Sequence, residues 1–194
     1  MAHLGYNKQT NTDISATGAF EICIRQVMYR TSGRDDTKLM ACVNRPTGQG
    51  AFALAPARLR YLYGRFEQTK LHQPTAVQKL TAAAFPEEVF RLMIRHEQAT
   101  DNNSHWVLPA AIHAVVQTHT AATKDRFASP LNAHPAYAEC WSEQKRDKLF
   151  GFRHDAFKTR WTGSSVAVPP SQPAPVAKAL RHAITSAAAA GPNE

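Results

Sequence analysis

From residue 56 onward, apolar side chains recur at helical spacing. In PARLRYLYGRFEQTK, Leu59, Leu62, Tyr63 and Phe66 follow the i, i+3, i+4, i+7 order of one helical face. Pro56 or a neighbour suits the first turn, where a missing N–H costs nothing. TAVQKLTAAA reads as a second helical piece. FPEEVFRLMIRHEQAT is the clearest helix: Pro86 lies at its start, and Glu87 and Glu88 face the positive end of the dipole. Its expected buried stripe is Val89, Phe90, Met93 and Ile94. DNNS breaks it, and WVLPAAIHAVVQTH repeats the design, with Pro109 opening a helix that puts Ile112, Val115, Val116 and His119 on one face.

The first quarter is harder to type. Residues 1 to 18 are polar and read as loosely ordered. FEICIRQVMYRT alternates at Phe20, Ile22 and Ile24 and suits a strand or a short helix, and SGRDDTK reads as a turn. Pro46, Gly48 and Gly50 make the centre of ACVNRPTGQGAFALAP a loop.

After residue 124 the texture changes. RFAS is a strand candidate ending at Pro130, and YAECWSEQKRDKLFGF is polar and basic with embedded aromatics. The short apolar run Val166-Ala167-Val168 stops at Pro169-Pro170, and VAKALRHAITSAAAA returns to helix with Val176, Leu180 and Ile184 spaced by four. Strand, polar loop, strand, Pro-Pro and helix in that order suggest βα units and a parallel sheet. Ligands of such sheets bind beyond the carboxyl ends of the strands, where both SPLN and VPPS would lie. The expected organisation is α/β: a helical N-terminal part, with residues 1–55 untyped and 56–122 helical, followed by a partial sheet segment over 123–190.

Composition adds a charge argument. The 194 residues are 43% hydrophobic, enough for a core, and carry 23 Lys+Arg against 15 Asp+Glu, a net charge of +8. Such a surplus favours polyanionic partners such as RNA or DNA, although it says nothing of fold. The basic residues also mix with aromatics. Arg58, Arg60, Arg65 and Lys70 alternate with Tyr61, Tyr63 and Phe66, and Lys145, Arg146, Lys148, Arg153, Lys158 and Arg160 surround Phe150, Phe152, Phe157 and Trp161. These patches suit phosphates and stacked bases. An amphipathic helix with a solvated basic face is the plainer alternative for the first of them.

Other chemistries find little purchase. Cys23, Cys42 and Cys140 contain no CxxC pair, which points away from a disulfide framework or zinc knuckle and toward a reducing compartment. The nine His residues show no HExxH, His113 and His119 do not stack on one helical face, and no metal site is expected. Cys140 has no His at a recognisable spacing and reads as a buried thiol. GQGAF lacks the strand–loop–helix context of a phosphate loop. No apolar run is long enough to span a membrane and the start lacks a secretory h-region, so an intracellular protein, nuclear or cytoplasmic, is expected.

The run FPEEVFRLMIRHEQAT, HWVLPAAIHAVV, DRFASPLN, CWSEQKRDKLFGF, DAF, WTGSSVAVPPS and AKALRHAI resembles the phosphorylated-CTD-interacting-factor family over roughly residues 85 to 189. The family comprises N6-adenosine methyltransferases acting on the cap-adjacent nucleotide. Its most specific part here is FASPLN, placed after an LP helix and before an FG and a Pro-Pro. The resemblance implies a Rossmann-like methyltransferase segment that uses S-adenosylmethionine on nucleic acid, RNA more readily than DNA. Ser129, Pro130 and Asn132 would lie near the cofactor, Val168, Pro169, Pro170 and Ser171 at the target base, and Arg58, Arg60, Arg65, Lys145, Arg146 and Lys148 along the nucleic acid.

The sequence departs from the family at the catalytic tetrad. The family has Asn-Pro-Pro-Phe, whose Asn accepts a hydrogen from the adenine amine and whose ring stacks on a base presented out of any helix. Here Val168 has no side-chain acceptor and Ser171 has no ring. One helix follows the Pro-Pro before Glu194. The expectation is a truncated relative with impaired catalysis, its sheet completed by another chain or altered. The alternative is a non-catalytic module that binds nucleic acid or protein.

Overall fold

The computed structural model describes residues 21–31, 34–44, 51–72, 84–100 and 109–190. They fall into two compact units, Met1–Gly64 with Gln78–Arg95, and Arg65–Val77 with His96–Glu194. The expected polar start at 1–18, the centre of the glycine loop at 45–50, most of the TAVQKLTAAA helix at 73–83 and the DNNS break lie outside the described residues.

The first unit opens with an antiparallel sheet of β1 (Glu21–Thr31), β2 (Arg34–Asn44) and β3 (Ala51–Leu54), in that spatial order. The register sets Ile22 opposite Val43 and Thr31 opposite Arg34. Ile, Val, Tyr and Thr in β1 favour the extended backbone. The N-terminal part is therefore not purely helical, as expected above, but leads with a sheet. SGRDDTK is also corrected: Arg34–Lys38 belong to β2, where polar residues complete the ladder begun by the apolar half of the hairpin.

Helix α1 (Pro56–His72) follows, and then α2 (Phe85–Thr100). Within the first unit Leu62, Val89, Phe90 and Leu92 are buried, Phe52 packs on Phe90 with ring centroids 5.0 Å apart, and Tyr63 meets Phe85 edge-on at 5.1 Å. The buried stripe of α2 is thus rotated from the expected one: Leu92 is enclosed, while Met93 and Ile94 are only half-buried.

The second unit holds α3 (Ala110–Thr120), four short parallel strands and α4 (Pro173–Ala188). The strands are β4 (Lys124–Asp125), β5 (Glu139–Ser142), β6 (Arg153–His154) and β7 (Ser165–Val166), in spatial order β6-β5-β4-β7. The expected strand RFAS lies one step too late. The Asp125 side chain accepts the Phe127 N–H at 3.1 Å, an Asx turn that bends the chain off the sheet as soon as the Arg126 N–H has bonded Val166 O at 2.8 Å. Strand β5 lies inside the polar stretch that carried no strand signal.

Two helix faces also differ from expectation. In α3, Ile112, Val115 and His119 are exposed and His113 is buried. In α4, Leu180 and Ile184 are exposed, whereas Ala179 and Ser186 are buried. Small side chains there permit close approach, since Trp161 N–H donates to Ser186 Oγ at 3.1 Å. Among the described residues no helix is long and apolar enough to cross a membrane.

Candidate ligand edge of the parallel sheet

The chain lays β5 and β6 to one side of β4 and then crosses to place β7 on the other. Where the strand order reverses in this way, neighbouring connections leave in opposite directions and open a crevice beyond the carboxyl ends. SPLN follows β4 and VPPS follows β7, and these two strands are hydrogen-bonded parallel neighbours, Lys124 opposite Ser165 and Asp125 opposite Val166. The structure thus brings Ser129, Pro130 and Asn132 to the same sheet end as Val168, Pro169, Pro170 and Ser171.

The two segments are built differently. Asn132 Oδ1 accepts from Ser129 N–H at 2.6 Å and from Ser129 Oγ at 3.0 Å, while Asn132 and Ala133 N–H donate back to Ser129 O at 3.1 and 2.8 Å. These bonds close a single locked turn over Ser129–Ala133, with Pro130 second in it. Ser129 and Pro130 are buried. In the other segment Val168, Pro169 and Pro170 are half-buried and Ser171 is exposed. The Pro169 carbonyl accepts no hydrogen bond from the described residues.

Around Tyr137 lies a set of titratable groups. Burial pushes the Asp125 carboxyl up to about 6, with the Phe127 N–H pulling the other way. Burial raises the Tyr137 phenol, and Asp125 and Cys140 add to the rise. The Tyr137 hydroxyl lies 2.9 Å from His113 Nδ1, and His134 stacks on His113 at 4.6 Å. Burial lowers the His113 imidazole, and the neighbouring His134 lowers it further. Cys140 is completely enclosed.

The opposite face of the sheet carries Lys124, Arg126, Glu139, Trp141 and Arg153, which alternate with Asp125, Cys140, Ser142 and His154. Arg126 lies over the Trp141 ring at 4.1 Å and over Trp161 at 5.6 Å, and Arg153 lies over Trp141 at 5.2 Å. Arg153 also pairs with Glu139 at 2.9 Å. Burial pulls the Arg126 guanidinium below its usual value, Glu139 opposes this, and Arg153 adds to it. This row was missed because β5 was missed. Once Glu139–Ser142 is extended, period-two alternation places Trp141 beside Arg126.

The six basic residues expected along nucleic acid divide. The Arg65 guanidinium donates to Phe150, Ala138 and Gly151 carbonyls at 3.2, 3.3 and 2.9 Å. It closes the 3-10 turn Lys145–Phe150, where Gly151 takes a positive φ of 73° and a Cβ would stand 3.1 Å from Thr69 Oγ1. Arg58 rests over the Tyr61 ring at 4.9 Å, Arg60 is exposed, and Lys145, Arg146 and Lys148 are exposed together on the 3-10 turn. Compared with known protein families and with curated proteins, the sequence matches none.

Proposed function

We propose that this chain is an S-adenosylmethionine-dependent N6-adenosine methyltransferase-like protein that acts on or binds nucleic acid, RNA more readily than DNA, with impaired methyl transfer. The observation that carries the reading is the parallel pairing of β4 with β7, which sets SPLN beside VPPS at the strand-order reversal. The order β6-β5-β4-β7 is also that of the first four strands of a Rossmann sheet, numbered 3-2-1-4 along the chain. Here, however, the connections between the strands are turns and 3-10 segments rather than crossover helices.

Polar groups at the sheet end support the cofactor reading. Asn132 Oδ1 is engaged by Ser129, which leaves its amide N–H groups to donate to a ligand. Glu143, exposed just past β5, offers a carboxylate for ribose hydroxyls. The bound cofactor would supply an electrophilic methyl group on its sulfonium. The chain's own part is to orient the adenine amine. The amine lone pair is delocalised into the ring, and acceptors for its hydrogens help localise it. The Pro169 carbonyl can accept one. Val168 accepts none and Ser171 provides no stacking ring, and loss of a positioned hydrogen-bonding group costs about 2–4 kcal/mol of transition-state stabilisation. Strand β7 ends the order of this sheet among the described residues, and a partner chain would complete the sheet there.

Calorimetry with S-adenosylmethionine and its demethylated product tests the cofactor directly. Binding heat is expected, and no heat with no thermal shift at millimolar ligand removes the reading. Methyl transfer to capped and uncapped adenosine RNA tests the impairment: V168N/S171F should raise turnover above wild type. A second reading, a non-catalytic nucleic-acid-binding module, is favoured by the cationic row on Trp141. It requires binding that weakens steeply with salt and ignores the cofactor.

A further inference from the structure

Arg126 is the least expected residue of the sheet. It is 98% removed from solvent, since its relative exposure is 2%. Its Nε has no hydrogen-bond partner among the described residues. Among the described residues no carboxylate lies within ion-pair distance of its guanidinium, and Glu139, the acidic group that acts on it, is bonded to Arg153. A buried cation is costly unless paired, and guanidinium keeps its charge at any ordinary pH.

A second cation converges on the same point. Arg126 Nη2 donates to Thr162 O at 3.3 Å, and Lys124 Nζ donates to the same carbonyl at 3.0 Å. The Lys124 bond lies at the surface, so the charge left without a counter-ion is the buried one on Arg126. Gly163, the residue after Thr162, turns with φ 65°, and a Cβ there would stand 3.8 Å from Lys124 Nζ. Thr162, Gly163 and Ser164 are exposed, so the Lys124 end of the pair lies at the surface while Arg126 is enclosed. Trp161, half-buried beside them, is held by its indole N–H on Ala156 O at 2.7 Å and packs against Phe157, Phe127 and His182, with Arg126 over its ring at 5.6 Å.

We propose that Lys124 and Arg126, at the Thr162–Gly163 turn, form a phosphate-binding site that takes a backbone phosphate of single-stranded nucleic acid. Phosphate supplies the missing negative charge and several acceptor oxygens. The site rests on the nucleic-acid reading above and is independent of the cofactor.

The test uses the whole chain without S-adenosylmethionine, following tryptophan fluorescence and thermal unfolding in chloride buffer, with added inorganic phosphate and with octauridylate. Phosphate should raise the melting temperature, and octauridylate should bind and be displaced by phosphate. K124Q should weaken octauridylate about tenfold and flatten the salt dependence by roughly one phosphate contact. R126M, which keeps an apolar stem against Trp141, should stay folded in phosphate-free buffer and should lose the phosphate response. Unfolding of R126M under those conditions makes Arg126 a structural residue and counts against the site. Octauridylate binding unchanged in K124Q, or no response of wild type to either probe, overturns the proposal. A phosphate response without octauridylate binding reduces it to an adventitious ion only. Cofactor calorimetry is separate, so this site and the methyltransferase reading can fail independently.

Discussion

The two faces of the parallel sheet solve the same packing problem differently. One face, with Asp125, Cys140, Ser142 and Val166, is enclosed, and its polar groups find short partners: Ser142 Oγ donates to Asp147 Oδ2 at 2.6 Å, and Asp125 takes the Phe127 N–H. The other face buries Trp141 and Arg126 beside half-exposed Lys124 and Glu139 and exposed Arg153. Parallel sheets are ordinarily apolar on both faces. Here the charged face is held by guanidinium groups flanking an indole, each such contact contributing about 0.5–2 kcal/mol. One face is closed by hydrogen bonds within the unit, and the other is a stack of cations around one ring.

The sharpest way to break this comparison is Trp141→Ala. The ring is 3% exposed and both Arg126 and Arg153 lie over it. Its loss should cost about 3–5 kcal/mol in denaturant unfolding, and a loss below ~1 kcal/mol would mean that the charged face does not depend on the indole.

The enclosed face is tested by pH. The folded-state carboxyl of Asp125 titrates near 6, above its unfolded value of 3.8, so the native chain binds more protons between those values. Its contribution is most favourable below about 3.8 and is lost as pH rises through 6. Asp125→Asn, which keeps the acceptor for Phe127, should therefore stabilise the protein at pH 7.5 by about 1–2 kcal/mol and by nothing near pH 4. His113 works in the opposite direction. Its imidazole is lowered, so its stabilising neutral state is lost as pH falls through and below 6.5. In the Asp125→Asn variant the remaining His113 should make acid destabilise from pH 6.5 downward, and further His113→Gln should flatten that slope. An unchanged pH profile in both variants would remove the titrating cluster.

The smallest expected effect separates the two strand-end segments. Asn132→Ala removes both acceptor bonds from Ser129 and should cost about 1–2 kcal/mol. Ser171→Ala, in the exposed segment, should change stability by less than ~0.5 kcal/mol. Equal effects would mean that the turn after β4 is not locked by the Asn132 bonds.

Local pattern carried the helices well. The spacing in α1 and α2, Pro109 before α3 and the apolar periodicity of α4 all mark real helices, because 3.6-residue spacing and proline geometry act within a few residues. It failed at the strands. Lys124–Asp125 and Glu139–Ser142 have little apolar alternation, and what makes them strands is pairing with partners far along the chain, such as Asp125 with Val166. It also failed on helix faces: the Leu180 and Ile184 stripe has the right spacing and faces solvent, since periodicity fixes an angle about the axis and not which side meets a neighbour.

The amino-acid order by itself determined that SPLN and VPPS each stop an extended run with proline, and that the tetrad at 168–171 has neither an amide nor a ring. Proline's fixed φ and the atoms a side chain carries are properties of single residues. Only the tertiary structure decided that the two segments are neighbours, that Arg65 holds backbone carbonyls, and that Arg126 stands buried without a carboxylate. Those depend on strand order and long-range pairing, which set each residue's distances to distant charges and carbonyls.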